Sequence, residues 1–149
     1  MEDVGKEPAT QMKVKPIFHY DVVQRSEAWY ALRCGRLTAS NFSTMLSSGI
    51  GRETLIRRVA GEIVTEEPAE SYENDYMRRG RDMEPEARAK YMMIRDVELT
   101  SVGFIERGRI GASPDSMIGK NKALEIKTEK AELLIETWQR NEFPPQHKA

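Results

Sequence analysis

After some 24 residues with little periodicity, apolar positions recur every three or four residues as far as residue 95. They crowd together from 97 to 128 and then return to helical spacing. That pattern predicts helices, then strands, then a last helix. Pro8 and Pro16 break any helix in the opening stretch, so residues 1–24 are expected to form a loose tail. Its one extended piece is expected around Ile17, Phe18, His19 and Tyr20. A first helix follows Ser26, carries Glu27 in its first turn, and stops at Gly35, a residue able to turn left-handed. Thr38, Ala39, Ser40 and Asn41 offer hydroxyls at a second helix start, with Phe42, Met45 and Leu46 as its apolar side. Leu55, Ile56, Val59, Ala60 and Ile63 predict a helix over 52–65, followed by a loop over 66–70. The longest helical pattern covers 74–95, with Met77, Gly80, Glu84, Ala87 and Tyr91 on its inward stripe. Strands are predicted over 97–107, 109–118 and 123–128, forming an antiparallel meander with turns at Gly108 and residues 119–122. A helix over 131–138 ends before Pro144 and Pro145. The expected class is α/β (α+β).

A chain of 149 residues is long enough for one domain with a sizeable core, expected over 25–149. No apolar run approaches the roughly 20 residues needed to cross a bilayer. The start, Met1-Glu2-Asp3-Val4, lacks the basic-then-apolar layout of a signal peptide. With Cys34 alone, an internal disulfide is excluded and a cysteine-rich zinc site disfavoured, so a reducing cytoplasm is expected. A net charge of −1 is low for a protein that holds nucleic acid by charge alone. A basic face can still be built from Arg57 and Arg58, from Arg78, Arg79 and Arg81, or from Lys120, Lys122, Lys127 and Lys130. Each cluster reads equally well as solvated surface charge. Trp29 and Trp138 read as core residues rather than base-stacking ones, and His19 and His147 have no ligand-pair spacing.

The chemistry concentrates in Ser113-Pro114-Asp115 and, ten residues on, Glu125-Ile126-Lys127. On a strand Glu125 and Lys127 share a face while Leu124 and Ile126 point to the other. Two acids and a lysine so placed can hold a hard divalent cation beside a phosphate, the ammonium orienting water or neutralising charge. Glu84 adds a third acid on the apolar side of its helix. There it must pair with Arg81 or Arg88, be protonated, or bind metal. Thr38 and Ser40 are either plain helix caps or, with Arg33, the receptor of an anion at a helix start.

These residues, with Glu84 on a preceding helix, resemble the PD-(D/E)xK nuclease superfamily. Trp29, Leu32-Arg33, Gly35, Leu37-Thr38-Ala39-Ser40 and the run from Gly80 through Arg88 extend the likeness to the lambda-type phage exonucleases, also called YqaJ-like viral recombinases. The resemblance implies a restriction-endonuclease-like core, a central mixed sheet flanked by helices. It implies Asp115, Glu125, Glu84 and the carbonyl of Ile126 as ligands of Mg²⁺, with Mn²⁺ a substitute, and Lys127 acting on the attacking water. Arg33, Ser40 and Thr38 match positions that hold a 5′-phosphate. The implied reaction is hydrolysis of linear double-stranded DNA from 5′ ends in phage-type recombination, within a bacterial host cell. A homotrimer ring and a single-strand annealing protein are the implied partners, with no membrane. In this family the segment matching 144–149 continues into a further helix and strands, so the C-terminal part of the family fold is expected to be missing. Another PD-(D/E)xK endonuclease and a non-catalytic DNA-binding remnant stand as alternatives.

Overall fold

The computed structural model describes residues 14–69 and 74–142, and these fall into two compact units. One holds 14–69 with 101–114, the other 74–100 with 115–142. Residues 1–13, most of the expected tail, and Pro144, Pro145 and His147 lie outside the described residues.

The first unit is a mixed sheet with helices. Strand β1 (Ile17–His19) pairs antiparallel with β3 (Phe104–Arg107), and β3 pairs antiparallel with β4 (Ile110–Ala112). β4 pairs parallel with β2 (Leu37–Thr38), so the order is β1-β3-β4-β2. The extended piece around Ile17 is thus a sheet strand. His19 Nε2 lies 3.1 Å from Glu106 Oε1, and Arg36 Nη2 lies 2.5 Å from Glu106 Oε2, which ties β1 and the start of β2 to β3. Phe104 is fully buried, and its ring lies over Gly111, where any Cβ would collide with it. Leu55 and Val102 are buried with it.

Helix α1 (Glu27–Arg33) starts as expected, Ser26 Oγ accepting from the Trp29 N–H at 3.3 Å. Gly35 takes φ +65°, and a Cβ there would meet Ile63 Cγ1 at 2.8 Å, so both backbone and space demand glycine. The second helix start is a correction. Thr38 ends β2 and caps nothing with its side chain; a 3-10 turn over Ala39–Asn41 leads into the short α2 (Phe42–Leu46). Thr38 is buried, with its Oγ1 taken up by Ser40 Oγ and Asn41 Nδ2, each at 3.0 Å. Phe42 and Leu46 are exposed rather than inward. Helix α3 (Ile50–Thr65) follows, burying Leu55 but leaving Ile56 and Ile63 partly open.

In the second unit, α4 (Asp75–Arg95) begins at Asn74, whose Oδ1 accepts from the Met77 N–H at 2.9 Å. Met77 is exposed, against expectation, whereas Glu84, Ala87 and Tyr91 are partly covered. The expected three-strand meander is broken. Its middle strand divides into β4 and β5 (Ser116–Ile118), and its last strand is β6 (Lys122–Leu124), paired antiparallel with β5 in a separate sheet. Pro114 sits at the break. It has no N–H for a ladder, and its carbonyl accepts from Gln24 Nε2 at 2.9 Å within the first unit. Between α4 and β3, Thr100 and Met117 form an isolated bridge, exchanging backbone bonds of 2.9 and 2.8 Å. Ser116 and Met117 form the buried centre. Helix α5 (Ala131–Arg140) ends two residues later than expected, with Trp138 72% exposed; the expectation of a core tryptophan is corrected there. Among the described residues no helix is long and apolar enough to cross a membrane.

Candidate functional site

The second unit carries the acids. Asp115 stands at the start of β5, and its Oδ2 accepts a hydrogen bond from the Ile126 N–H. That bond continues the β5–β6 pairing with a side chain where β6 has already ended, since Glu125, Ile126 and Lys127 lie beyond Leu124 and outside the ladder. The shared strand face expected for Glu125 and Lys127 is therefore absent. The two nonetheless meet, Lys127 Nζ donating to Glu125 Oε1 as an ion pair at the surface.

Glu84 arrives from α4. Arg88, one turn along, donates from Nη2 to Glu84 Oε1 and to the Asp115 carbonyl at 2.6 Å. Of the two arginines expected as partners of Glu84, the structure pairs it with Arg88. The second bond, to the backbone of Asp115, carries no sequence signal, since nothing in the spacing tells which loop α4 faces. Arg88 Nε is buried without a partner. Gly80 lies close to Thr128, where an added Cβ would stand 3.0 Å from Thr128 Oγ1.

Burial raises the pKa of the Asp115 carboxyl above the usual aspartate value. The Ile126 N–H opposes this, the charges of Glu125 and Glu84 add to it, and Lys127 opposes it again. Asp115 thus feels both Glu125 and Glu84 at this hairpin end. The three acids are not gathered to ligand distance: among the described residues no three His, Cys, Asp or Glu side chains converge to hold a metal ion. One oxygen of each acid faces a donor of the chain. The donor set is oxygen only and fits a hard divalent cation in kind.

The first unit carries the anion-site candidates. Arg33 stacks on the Trp29 ring, its guanidinium carbon 4.1 Å from the centroid, and its Nη2 reaches Thr38 Oγ1 at 3.5 Å. Trp29 is held in place, its Nε1 donating to the Gly103 carbonyl at 3.0 Å and to Ser113 Oγ at 2.8 Å. Ser40 is exposed beside Thr38. A dipole from a regular helix is absent, since Ser40 lies in the 3-10 turn and α2 has five residues. Desolvation, then the charge of Arg58, lowers the pKa of Arg33. Desolvation, then the charge of Glu62, raises the pKa of the partly covered Cys34 thiol. Of the basic clusters, Arg57 pairs with Glu53 at 2.9 Å and Arg78 with Asp75 at 2.7 Å, surface contacts within their own helices.

Residues 28–147 match the model of the YqaJ-like viral recombinase domain. The chain belongs to this family. Among solved structures, this YqaJ-like chain is similar to an alkaline exonuclease (LHK-Exo) from Laribacter hongkongensis, with 30% identity and a TM-score of 0.72. The same enzyme in complex with dAMP superposes with a TM-score of 0.73 at 30% identity. In both comparisons 82% of this chain is covered, and it spans 63% of the length of the enzyme. Among curated proteins nothing matches. The mixed sheet with its helices is the restriction-endonuclease-like core of the YqaJ-like recombinases, as the resemblance implied.

Proposed function

We propose that this YqaJ-like chain carries the hydrolytic site of a Mg²⁺-dependent exonuclease that degrades linear duplex DNA from its 5′ ends. The observation that carries the reading is the grouping of Asp115, Glu125, Glu84 and Lys127 around the end of the β5–β6 hairpin, with Asp115 disfavoured as a free carboxylate by burial and by the other two acids. A half-buried carboxylate beside two further acids is relieved by a bound cation. Asp115, Glu125, Glu84 and the carbonyl of Ile126 would hold it, and Mn²⁺ has the same ligand preference. When bound, such an ion polarises a phosphoryl oxygen and lowers the pKa of its water. Lys127, released from Glu125, orients that water or offsets charge on the phosphoryl group. Arg88 keeps the α4 carboxylate at the hairpin end.

The similar enzyme is an alkaline exonuclease solved with dAMP, a deoxynucleoside monophosphate. Release of such a product is what cutting from an end yields. In the same reading Arg33, Thr38 and Ser40 receive the terminal 5′-phosphate, the chain assembles as a homotrimer, and a single-strand annealing protein takes up the exposed strand in the host cytoplasm.

The test is digestion of linear duplex bearing 5′-phosphate or 5′-hydroxyl ends, with and without Mg²⁺, beside a closed circular plasmid. Expected are mononucleotides from the linear DNA only with the metal, faster loss of phosphorylated ends, and an intact plasmid. A nicked or linearised plasmid overturns the end-dependent reading in favour of an endonuclease. Duplex left whole at saturating Mg²⁺ overturns the hydrolytic one.

A further inference from the structure

One nitrogen ties the α4 acid to the β5 acid. Arg88 Nη2 donates both to Glu84 Oε1 and to the Asp115 carbonyl, the latter at 2.6 Å. Two acceptors on one nitrogen stand no further apart than two hydrogen-bond lengths, about 6 Å. The Asp115 carbonyl is fixed in turn, since the fully buried Ser116 donates to it from Oγ at 2.6 Å. The Asp115 carboxylate is fixed as well, by the Ile126 N–H. A continuous run of hydrogen bonds thus leads from Glu84 through Arg88 to Asp115 and on to the backbone of Ile126.

The other ion pair at the hairpin end is built differently. Lys127 and Glu125 are half exposed, so water competes for both, whereas Arg88 and Glu84 are mostly covered. Arg88 also keeps its Nε buried without a partner among the described residues. An orphaned buried N–H costs free energy, and an ordinary helix ion pair avoids it. Lys90 shows the contrast: at the same spacing it meets Glu86 at 2.7 Å, with both side chains out in solvent. Arg88 is therefore held inward for a contact that the helix alone does not need. The acid group has one side whose spacing is set and one that adapts.

We propose that Arg88 is a positioning residue that makes this centre select a small cation: by fixing Glu84 against Asp115 it favours Mg²⁺ over Ca²⁺. The inference rests on the reading that these acids hold a divalent cation, and adds which cation they prefer and why. Mg²⁺ takes oxygen ligands at about 2.1 Å and demands near-ideal octahedral geometry. Ca²⁺ takes roughly six to eight oxygens at about 2.3–2.6 Å in adaptable arrangements. Acids whose separation is set discriminate between the two ions, and acids free to shift accept either. Arg88 acts here only through Glu84 and Asp115. A guanidinium that merely competed with the metal for Glu84 would weaken both ions alike.

The experiment reads metal binding on the 149-residue chain without DNA, so no cleavage is involved. The chain is titrated with Mn²⁺, the free ion is counted by electron paramagnetic resonance, and Mg²⁺ or Ca²⁺ is added to displace it. The quantity read is the ratio of the Ca²⁺ and Mg²⁺ dissociation constants. Arg88→Gln should shift this ratio towards Ca²⁺ roughly tenfold, the order of one charge-assisted contact. Arg88→Met, which keeps the apolar stem and removes the donors, should do the same. Lys90→Gln removes an equal charge from an exposed position on the same helix and should leave the ratio alone.

Tighter binding of both ions in Arg88→Gln, with the ratio unchanged, makes Arg88 a competitor of the metal and overturns the proposal. Weaker binding of both at an unchanged ratio makes it a general support of the fold and overturns it too. An equal shift of the ratio in Lys90→Gln does the same, as an effect of net charge. In each of these cases the metal site stands. A wild-type chain that takes up no Mn²⁺ removes the metal site itself, and the selection with it. Melting by circular dichroism confirms the fold of each variant, and Arg88→Met decides the matter should Arg88→Gln fail to fold.

Discussion

Replacing Arg88 with alanine should destabilise the second unit by about 2 kcal/mol. One nitrogen of this side chain serves two acceptors, the Glu84 carboxylate and the Asp115 carbonyl, and so joins α4 to the start of β5. A hydrogen bond to a charged group contributes about 1.5–3 kcal/mol, and one to a neutral carbonyl about 1 kcal/mol. Breaking a fully buried ion pair costs about 3–5 kcal/mol. Arg88 and Glu84 are 27% and 22% exposed, so water screens part of that and the lower figures apply. Alanine is also a slightly better helix former than arginine, which offsets a few tenths of a kcal/mol. Equilibrium urea unfolding of Arg88→Ala, Glu84→Gln and the double variant measures both the cost and the coupling, the latter expected near 1 kcal/mol. A loss below about 0.5 kcal/mol in Arg88→Ala, or strict additivity in the double variant, would falsify the claim that this contact joins helix and hairpin.

Asp115→Asn keeps the acceptor for the Ile126 N–H and loses the charge, so cleavage should vanish while the metal-free protein becomes more stable at neutral pH. The sign follows from a raised carboxyl pKa: the stability is present below the ordinary aspartate value near 4 and is lost as pH rises through the raised folded one, so the variant's advantage should be absent at about pH 3. Thermal melts across pH, without metal, check this, and a variant less stable at pH 7 counts against it. Lys127→Ala should lower the cleavage rate about 10²- to 10³-fold with metal affinity retained, since an ammonium is no Mg²⁺ ligand. Calorimetry that found metal binding gone as well would make Lys127 a structural residue. Gly111→Ala puts a methyl group into the Phe104 ring and should cost about 1–3 kcal/mol by overpacking; a melting temperature within a degree of wild type would show that the sheet yields there.

What the sequence determined by itself is local or chemical. Ser26 and Gly35 bound α1 because a cap and a left-handed stop act within one turn, and Asn74 starts α4 for the same reason. The family likeness was legible because the block from Trp29 to Ser40 and the run Glu125-Ile126-Lys127 after Asp115 carry it in residue type and spacing, and the family model matches residues 28–147. The antiparallel hairpins turning at Gly108 and at 119–122 were legible, but the division of the strands between two sheets was not. The run from 109 to 118 alternates like one strand, yet Pro114 cuts the ladder and sends the chain into a second sheet, because a missing N–H matters only once the partner strand is known. Thr38 read as lying at a helix start, as a cap or an anion receptor, and is a buried strand end, since β2 is held by its partner β4 and not by its own pattern. Trp138 read as core by residue type and stands open to solvent. The choice of Arg88 as the partner of Glu84, and its hold on the Asp115 backbone, belongs to tertiary structure alone: spacing sets which groups share a helix face, but only packing decides what that face meets.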